Sequence, residues 1–241
     1  MGHPMRADAS RAAAIIVAGG AGERFGAPGG KQLASAAGLP ILSHTLRAFE
    51  AADCVGFLVV VCHPDRLDEF RSHAIEPLRL ATAWTIVAGG ASRTESVRNG
   101  MQAIDRDWPY ILVHDGARPL VLASTIEAAL AELIDKPESD GVVVGQPSYD
   151  TIKEVSGRRI VSTPDRSRFW VVQTPQVFRA PALRSAYEQA GADGRSTDDA
   201  ALVEMNGGIV EVLEGPRDNV KVTVAEDIAI VEAVLRYRET G

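Results

Sequence analysis

Four short segments place cations and carboxylates among glycines where an apolar run stops, a pattern suited to phosphate chemistry. The densest is Ala18-Gly19-Gly20-Ala21-Gly22-Glu23-Arg24-Phe25-Gly26, followed by Lys31. Glycines let backbone N–H groups approach an anion closely, so the loop can form a nest for phosphate, with Arg24 and Lys31 adding fixed charge. A plain glycine-rich turn is the alternative, but it has no need of the two cations. The second segment, Gly89-Gly90-Ala91-Ser92-Arg93-Thr94-Glu95-Ser96, offers Arg93 to a phosphate and Ser96 to a base edge, or else Thr94 as a helix cap. The third, Val113-His114-Asp115-Gly116-Ala117-Arg118-Pro119, presents an acid and a cation. Asp115 suits Mg²⁺, a hard cation that takes carboxylate and phosphate oxygens, or a buried pair with Arg118. The fourth, Pro216 to Thr223, holds Asp218 and Lys221. Thr151, Arg166, Thr174 and Thr197 lie in other polar stretches and read individually as turn or cap residues.

Several familiar chemistries fail on spacing. A dinucleotide fingerprint needs a third glycine where Phe25 stands, and an acid after the second strand, which instead ends Val61-Cys62-His63. A Walker A loop is one residue short between Gly26 and Gly30-Lys31, and Gln32 replaces its Ser/Thr. There is no G-x-S-x-G elbow, no H-E-x-x-H helix and no protein-kinase set, and the five histidines lack metal-ligand spacing.

The elements that must position these segments alternate along the chain. Strands are expected at Ala13–Ala18, Val55–Cys62, Trp84–Ala88, Tyr110–Val113 and Gly141–Gly145. Helices are expected at Ile41–Glu50, Asp65–His73, Thr94–Ile104 and Ser124–Ile134, the last capped by Ser124. Alternation of this kind predicts an α/β fold with a mostly parallel sheet and flanking helices. It breaks over about 146–172, where Thr151–Val155 and Arg159–Ser162 flank Gly157 as a β-hairpin, an edge decoration or an arm toward a partner chain. Helices at Ala180–Gln189 and Asp198–Met205 follow, then strands at Ile209–Leu213 and Val220–Thr223. The last expected element is a helix over Ala225–Arg238 with Ile228, Val231, Val234 and Leu235 on one face.

Composition bounds the rest. The 241 residues, 24% charged and 46% hydrophobic, describe a folded chain with no composition shift to mark a second domain, so one domain over 1–241 is expected, with 1–11 a loose leader. A net charge of −7 disfavours nucleic acid as a partner, so a phosphate ligand must meet a local basic cluster. Only Cys54 and Cys62 are present, which fits a reducing compartment. The lack of a signal-like start or an 18-residue apolar run makes the cytoplasm the expected location, with no membrane contact.

Taken in order, the stretches AGGAGERFG with Lys31-Gln32, LPILSHTLRAF, GGASRTESV, VHDGARPLV, DTIK, VQTPQVF, TDDAALVE and DNVKVT with AEDIAIVE resemble the 2-C-methyl-D-erythritol 4-phosphate cytidylyltransferases of the non-mevalonate isoprenoid pathway, from Ala14 to about Leu235. The resemblance implies a Rossmann-like nucleotidyltransferase domain with a protruding β-arm that helps form a homodimer. It also implies transfer of CMP from CTP to the sugar-alcohol phosphate with release of pyrophosphate, assisted by Mg²⁺ near Asp115. It carries over Arg24, Lys31 and Lys221 as catalytic. Ala18, Gly19, Gly20, Ala21, Gly22, Gly90, Arg93, Ser96, Asp115 and Arg118 would sit around the nucleotide. Thr174, Thr197 and Asp218 would meet the polyol phosphate, with Thr151 and Arg166 reaching it from the partner subunit. The chain departs from the family in having Val17 to Gly20 where a Pro-Ala-Ala-Gly type loop is usual, Gly29-Gly30 where Pro commonly precedes the lysine, and Ala91 where an acid often stands. Ribitol-5-phosphate cytidylyltransferases share the same loops and chemistry and remain the nearest alternative. A nucleotide-binding module without catalysis and a sugar nucleotidyltransferase using another NTP stand further off.

Overall fold

Long apolar runs dictate the centre of the molecule. In the computed structural model, which describes residues 11–20, 25, 30–191, 196 and 198–240, β1 (Ala12–Val17) and β4 (Val55–Cys62) are buried on both faces, as strands covered by helices on each side must be. Side chains alternate across them: Ala12, Ala14 and Ile16 join one apolar cluster, and Ala13 and Ile15 the other. The first cluster is closed by α2 (Ile41–Glu50) and α5 (Ala123–Asp135). The second is closed by α4 (Arg93–Gln102), α6 (Ala180–Ala190) and α7 (Asp199–Met205). Gly100 lets α4 lie close on the sheet, since a Cβ there would come within 2.6 Å of Ile15 Cγ2.

The remaining strands are β5 (Ala83–Ala88), β6 (Tyr110–Asp115), β7 (Gly141–Pro147), β10 (Trp170–Arg179) and β11 (Val210–Glu214). The seven are ordered β11-β7-β10-β6-β1-β4-β5, and only β10 runs antiparallel to its neighbours. From β1 the chain moves to β4 and β5 on one side, then crosses back to β6 on the other, so the sheet has a switch point between β1 and β6. Open α/β sheets bind ligands at such a crevice. Three small pieces complete the mouth: α1 (Gly30–Leu33) and a two-stranded turn of β2 (Ser35–Ala36) and β3 (Leu39–Pro40). Over them lies α8 (Asp227–Thr240), whose Ile228, Val231, Val234 and Leu235 pack on Ala36, Ile41, Leu120 and Val222. Away from the sheet, β8 (Glu154–Ser156) and β9 (Arg159–Ser162) pair only with each other.

Several expectations are corrected. Strand β10 was not foreseen: Gln173, Thr174 and Gln176 interrupt its apolar pattern, although all three are buried. Val220–Thr223 forms no strand. It crosses the mouth of the sheet, with the Val222 N–H bonded to the Ala117 carbonyl. Asp65–His73 is not one regular helix but 3-10 turns, a four-residue α3 (Leu67–Phe70) and a widened turn over Arg71–Ile75. Only Phe70, Ala74 and Ile75 among them are buried, too few to anchor a longer helix. Ser124 does not cap α5; Leu122 holds that position, and its carbonyl takes the Thr125 and Ile126 N–H groups. The leader over 1–10 lies outside the described residues, whereas Arg11 is anchored, its Nη2 donating to the Val55 carbonyl at 2.7 Å.

Candidate active site

The sheet itself delivers the first acid. In β6, Asp115 is paired with Val17 of β1 across the switch point, and the Gly116 N–H bonds the Val17 carbonyl at 2.8 Å. Its carboxylate gathers three cations from distant segments. Lys221 Nζ lies 2.7 Å away, Arg93 Nε 3.4 Å and Arg118 Nε 3.6 Å. Burial works to raise the Asp115 pKa, but Lys221, then Arg93 and Arg118, outweigh it and hold the carboxyl far below its usual range. Of the two sequence readings of this acid, the pair with Arg118 is formed, and two further cations join it. Arg93 also reaches the fully buried Asp199, Nη2 to Oδ2 at 2.8 Å. Burial pulls its pKa down while Asp199 and Asp115 pull it up, and the net shift is upward. Three cations against two carboxylates leave this wall with a net positive charge.

Clefts open on both sides of the wall. The first, about 410 Å³, is lined by Gly19, Gly20, Lys31, Gly90, Arg93, Ser96, Asp115 and Lys221, with Gln32 and His63 between the loops. Gln32 is buried and its Nε2 donates to the Gly20 carbonyl at 3.4 Å, tying α1 to the first loop. The 89–96 loop is held by its own hydroxyls. Ser96 Oγ accepts from Gly90 N–H at 3.1 Å and donates to the Ser92 carbonyl at 2.8 Å, so Ser96 serves the cleft by fixing backbone. Ser92, not Thr94, caps α4, accepting the Glu95 N–H at 3.0 Å, which makes Arg93 the first helical residue, pointed at the wall.

The second cleft, about 280 Å³, shares Arg93, Asp115 and Lys221 and adds Arg118, Gln173, Thr174, Gln176 and Asp198. Thr174 reaches it because the register of β10 shifts between Val172 and Gln176, lifting 173–175 out of the ladder. Asn219, fully buried, stitches its floor to the fourth motif: its Nδ2 donates to Gln173 Oε1 and the Thr174 carbonyl, while its own carbonyl accepts from Arg118 Nη1 at 2.9 Å.

Lys31, Lys221, Gly19, Gly20, Gly90, Arg93, Ser96 and Asp115 thus converge on one cleft, and Thr174 lines its neighbour. Arg118 belongs to the second cleft and not, as expected, to the nucleotide-side loops, because its side chain runs along Asn219. Asp218 lines neither cleft; its carboxylate takes Arg238 Nη2 of α8 at 2.8 Å and anchors the segment that carries Lys221. Ala18 directly follows β1, and its N–H is bonded to the Val61 carbonyl at 2.7 Å. Thr151 and Arg166 are exposed and reach neither cleft of their own chain, Arg166 Nη1 donating to the Tyr149 carbonyl at 2.7 Å. Ala21, Gly22, Arg24 and Thr197 lie outside the described residues. Sequence reasoning missed Gln32, His63, Asn219, Asp199 and His114. The last two stand inside the motifs TDDAALVE and VHDGARPLV, but nothing in spacing shows which member of a motif faces the ligand and which supports it.

The comparisons agree with this geometry. The family model for 2-C-methyl-D-erythritol 4-phosphate cytidylyltransferase matches residues 12–237. A protein of that name from Geotalea uraniireducens is 40% identical over 233 residues, 94% of this chain and 97% of the relative. Another, from Syntrophotalea carbinolica, is 40% identical over 223 residues, 92% of this chain and 94% of the relative. Among solved structures, a 4-diphosphocytidyl-2C-methyl-D-erythritol synthase from Anaerococcus prevotii superposes with a TM-score of 0.82 at 25% identity, covering 95% of this chain and 98% of that one. The 2-C-methyl-D-erythritol 4-phosphate cytidylyltransferase of Thermus thermophilus gives 0.73 at 29%, covering 92% and 98%. With a converged cationic wall, the same fold and this extent of identity, the chain belongs to the 2-C-methyl-D-erythritol 4-phosphate cytidylyltransferase family.

Proposed function

We propose that the chain transfers CMP from CTP to 2-C-methyl-D-erythritol 4-phosphate, giving the CDP-alcohol and pyrophosphate. The observation that carries this reading is the shared wall: two clefts, each large enough for one reactant, meet at Arg93, Asp115 and Lys221. CTP fits the first, its triphosphate among the glycine loop and Lys31, and the polyol phosphate fits the second. A phosphate monoester has a second pKa near ~6 and is largely ionised at neutral pH, so no general base and no nucleophilic side chain is required. One of its oxygens attacks the α-phosphorus in line. A P–O bond forms there as the bond to the β-phosphate oxygen breaks, and pyrophosphate carries the electron pair away. The two anions repel, and the wall's cations offset that repulsion and the charge gathered on the five-coordinate phosphorus.

Magnesium belongs to this proposal as a companion of the nucleotide. Among the described residues no group of three acids, histidines or cysteines could hold a metal, but Asp115 fits as a single carboxylate ligand to an ion brought in on triphosphate oxygens, the usual mode for Mg²⁺. When bound, the ion would neutralise phosphate charge.

The β-arm supports a homodimer in which Thr151 and Arg166 complete the partner's second cleft. Val155, Ile160, Val161, Val171 and Val172 are left 57%, 58%, 59%, 60% and 41% exposed on and beside the arm, a patch that an isolated chain would leave to water. The wall is assembled around one seven-stranded sheet, with Asp115 on its strand β6, in keeping with a single catalytic unit. Among the described residues no helix is long and apolar enough to cross a membrane, and the thiol of Cys54 is pushed up to about 11, chiefly by burial, which makes it unreactive.

The test is pyrophosphate release with each NTP against 2-C-methyl-D-erythritol 4-phosphate and ribitol 5-phosphate. CTP with the erythritol phosphate should be fastest; faster turnover with ribitol phosphate would reassign the acceptor. Lys31→Ala should lose most turnover while the chain still folds, and a wild-type rate in that variant would remove Lys31 from the phosphate clamp.

A further inference from the structure

We propose that His114 fixes the polarity of Thr174, so that the second cleft presents a hydrogen-bond acceptor there and selects a substrate hydroxyl over a phosphate oxygen. The inference rests on the reading of that cleft as the polyol-phosphate site and assigns which part of the polyol phosphate Thr174 meets.

His114 is fully buried in β6 beside Asp115, its ring 5.0 Å from that of Phe49. Its Nε2 lies 3.3 Å from the Arg118 carbonyl, which can only accept, so Nε2 carries the proton. A second proton on the ring is strongly disfavoured. The ring is fully buried, and its two nitrogens meet only a carbonyl and a hydroxyl, with no carboxylate bonded to either. In the neutral ring Nδ1 is then a bare lone pair, 3.0 Å from Thr174 Oγ1. The Thr174 hydroxyl must donate to it. The same oxygen accepts the Asp115 N–H at 3.1 Å. Its proton and one lone pair are thereby committed within the protein, and what remains for the cleft is the other lone pair.

A dianionic phosphate has no hydrogen to offer that lone pair, whereas an alcohol does. The division of labour follows: Arg93, Arg118 and Lys221 take the phosphate, and Thr174 takes a hydroxyl of the carbon chain. His114 touches neither reactant; it is a positioning residue bonded to the Arg118 carbonyl directly and linked to the Asp115 N–H only through Thr174.

Two substitutions separate its two nitrogens. In His114→Asn an amide oxygen at the Nδ1 position can still accept from Thr174. In His114→Gln an amide nitrogen near the Nε2 position still reaches the Arg118 carbonyl, but Thr174 loses its acceptor and its hydroxyl is released. Steady-state kinetics of the full-length enzyme with CTP, Mg²⁺, the polyol phosphate and its monodeoxy analogues reads the result. H114Q should raise KM for the polyol phosphate about tenfold, leaving kcat and KM for CTP within about threefold, and H114N should stay near wild type. With the wild-type enzyme one monodeoxy analogue should lose about tenfold, and H114Q should show no further loss with it, since both changes delete one contact.

An unchanged H114Q overturns the proposal, and so does equal damage to kcat and both KM values in H114N and H114Q. A wild-type enzyme indifferent to every deoxy analogue overturns it without any variant. If the wild-type enzyme fails to use the polyol phosphate at all, the functional reading falls first and this inference with it, a result seen before any variant is made.

Discussion

The wall between the clefts and the β-arm are held in place by opposite means. In the wall, Asp115 is anchored in the sheet, and Arg93, Arg118 and Lys221 are drawn to it from α4, the turn after β6 and the 216–221 segment. Asp115 is braced by sheet pairing, Arg93 by Asp199 and Arg118 by the Asn219 carbonyl. In the arm, β8 and β9 have three and four residues, pair only with each other and are almost wholly exposed. An isolated two-stranded hairpin is marginal in water. The contrast teaches that the described wall residues are held by contacts within one chain, whereas Thr151 and Arg166 stand exposed, away from both clefts.

The largest effect that would break this comparison is kinetic. Lys221→Ala should reduce kcat/KM by about 10³-fold, the scale of losing a charged group from transition-state stabilisation, while circular dichroism stays native. Arg166→Ala should cost about 10²-fold although the chain's own clefts are untouched. Neither homodimer would then work well, but mixed dimers have one site with both residues intact. Random mixing of the two variants should restore about a quarter of wild-type activity per dimer, half of the dimers being mixed with one good site each. Mixtures no more active than their parents would place Arg166 in its own chain's site or in none.

The same contrast explains what could be read from residues alone. Lys31, Gly90, Arg93 and Asp115 were legible because each follows an apolar run or opens a helix, and the C-terminal edge of a parallel sheet gathers such positions. The order of the early strands was legible from alternation. Strand β10 was not, because its buried middle is polar: Gln173, Thr174 and Gln176 bond Asn219, Asp115 and Asp199, partners that only the folded chain supplies. Asp218 was misread for a related reason. An acid three residues from a lysine that lines both clefts looks like a ligand, yet Arg238, twenty residues on, claims it. The arm was legible as a hairpin from Gly157, whose φ of 61° the turn requires.

A smaller effect compares two glycines. Ala is ordinarily better than Gly in a helix by about 1 kcal/mol, but at Gly100 the new Cβ would stand 2.6 Å from Ile15 Cγ2 and 3.1 Å from Val61 Cγ2. Both methyls belong to β-branched side chains fixed in fully buried strands, so α4 must move instead. Gly100→Ala should destabilise the fold by about 1–3 kcal/mol in urea denaturation and raise KM for CTP, because α4 begins with Arg93. Gly157→Ala meets no atom within 4 Å and adds only backbone strain of about 1 kcal/mol. It should leave the denaturation midpoint of the sheet unchanged while weakening subunit association. Equal destabilisation by both would mean that arm and sheet unfold as one unit.

The smallest effect concerns pH and isolates the wall from the arm. His114 is held neutral in the folded chain, pushed down to about 3 chiefly by burial, against about 6.5 when unfolded. The unfolded state therefore binds the extra proton first, and the stabilisation present above pH 6.5 is lost as pH falls toward 3. Asp115 has the opposite chemistry and a separate window: its carboxyl lies far below the usual value, so its contribution persists until pH drops below about 4. Between pH 7.5 and 5.5 the His114 contribution alone should lower unfolding free energy by about 1 kcal/mol. His114→Asn should remove that increment, giving a shallower dependence than wild type over this interval, while substitutions in the arm should leave the slope as it is. Identical slopes for wild type and H114N would show that the ring protonates without cost, and the hydroxyl polarity assigned to Thr174 would lose its anchor.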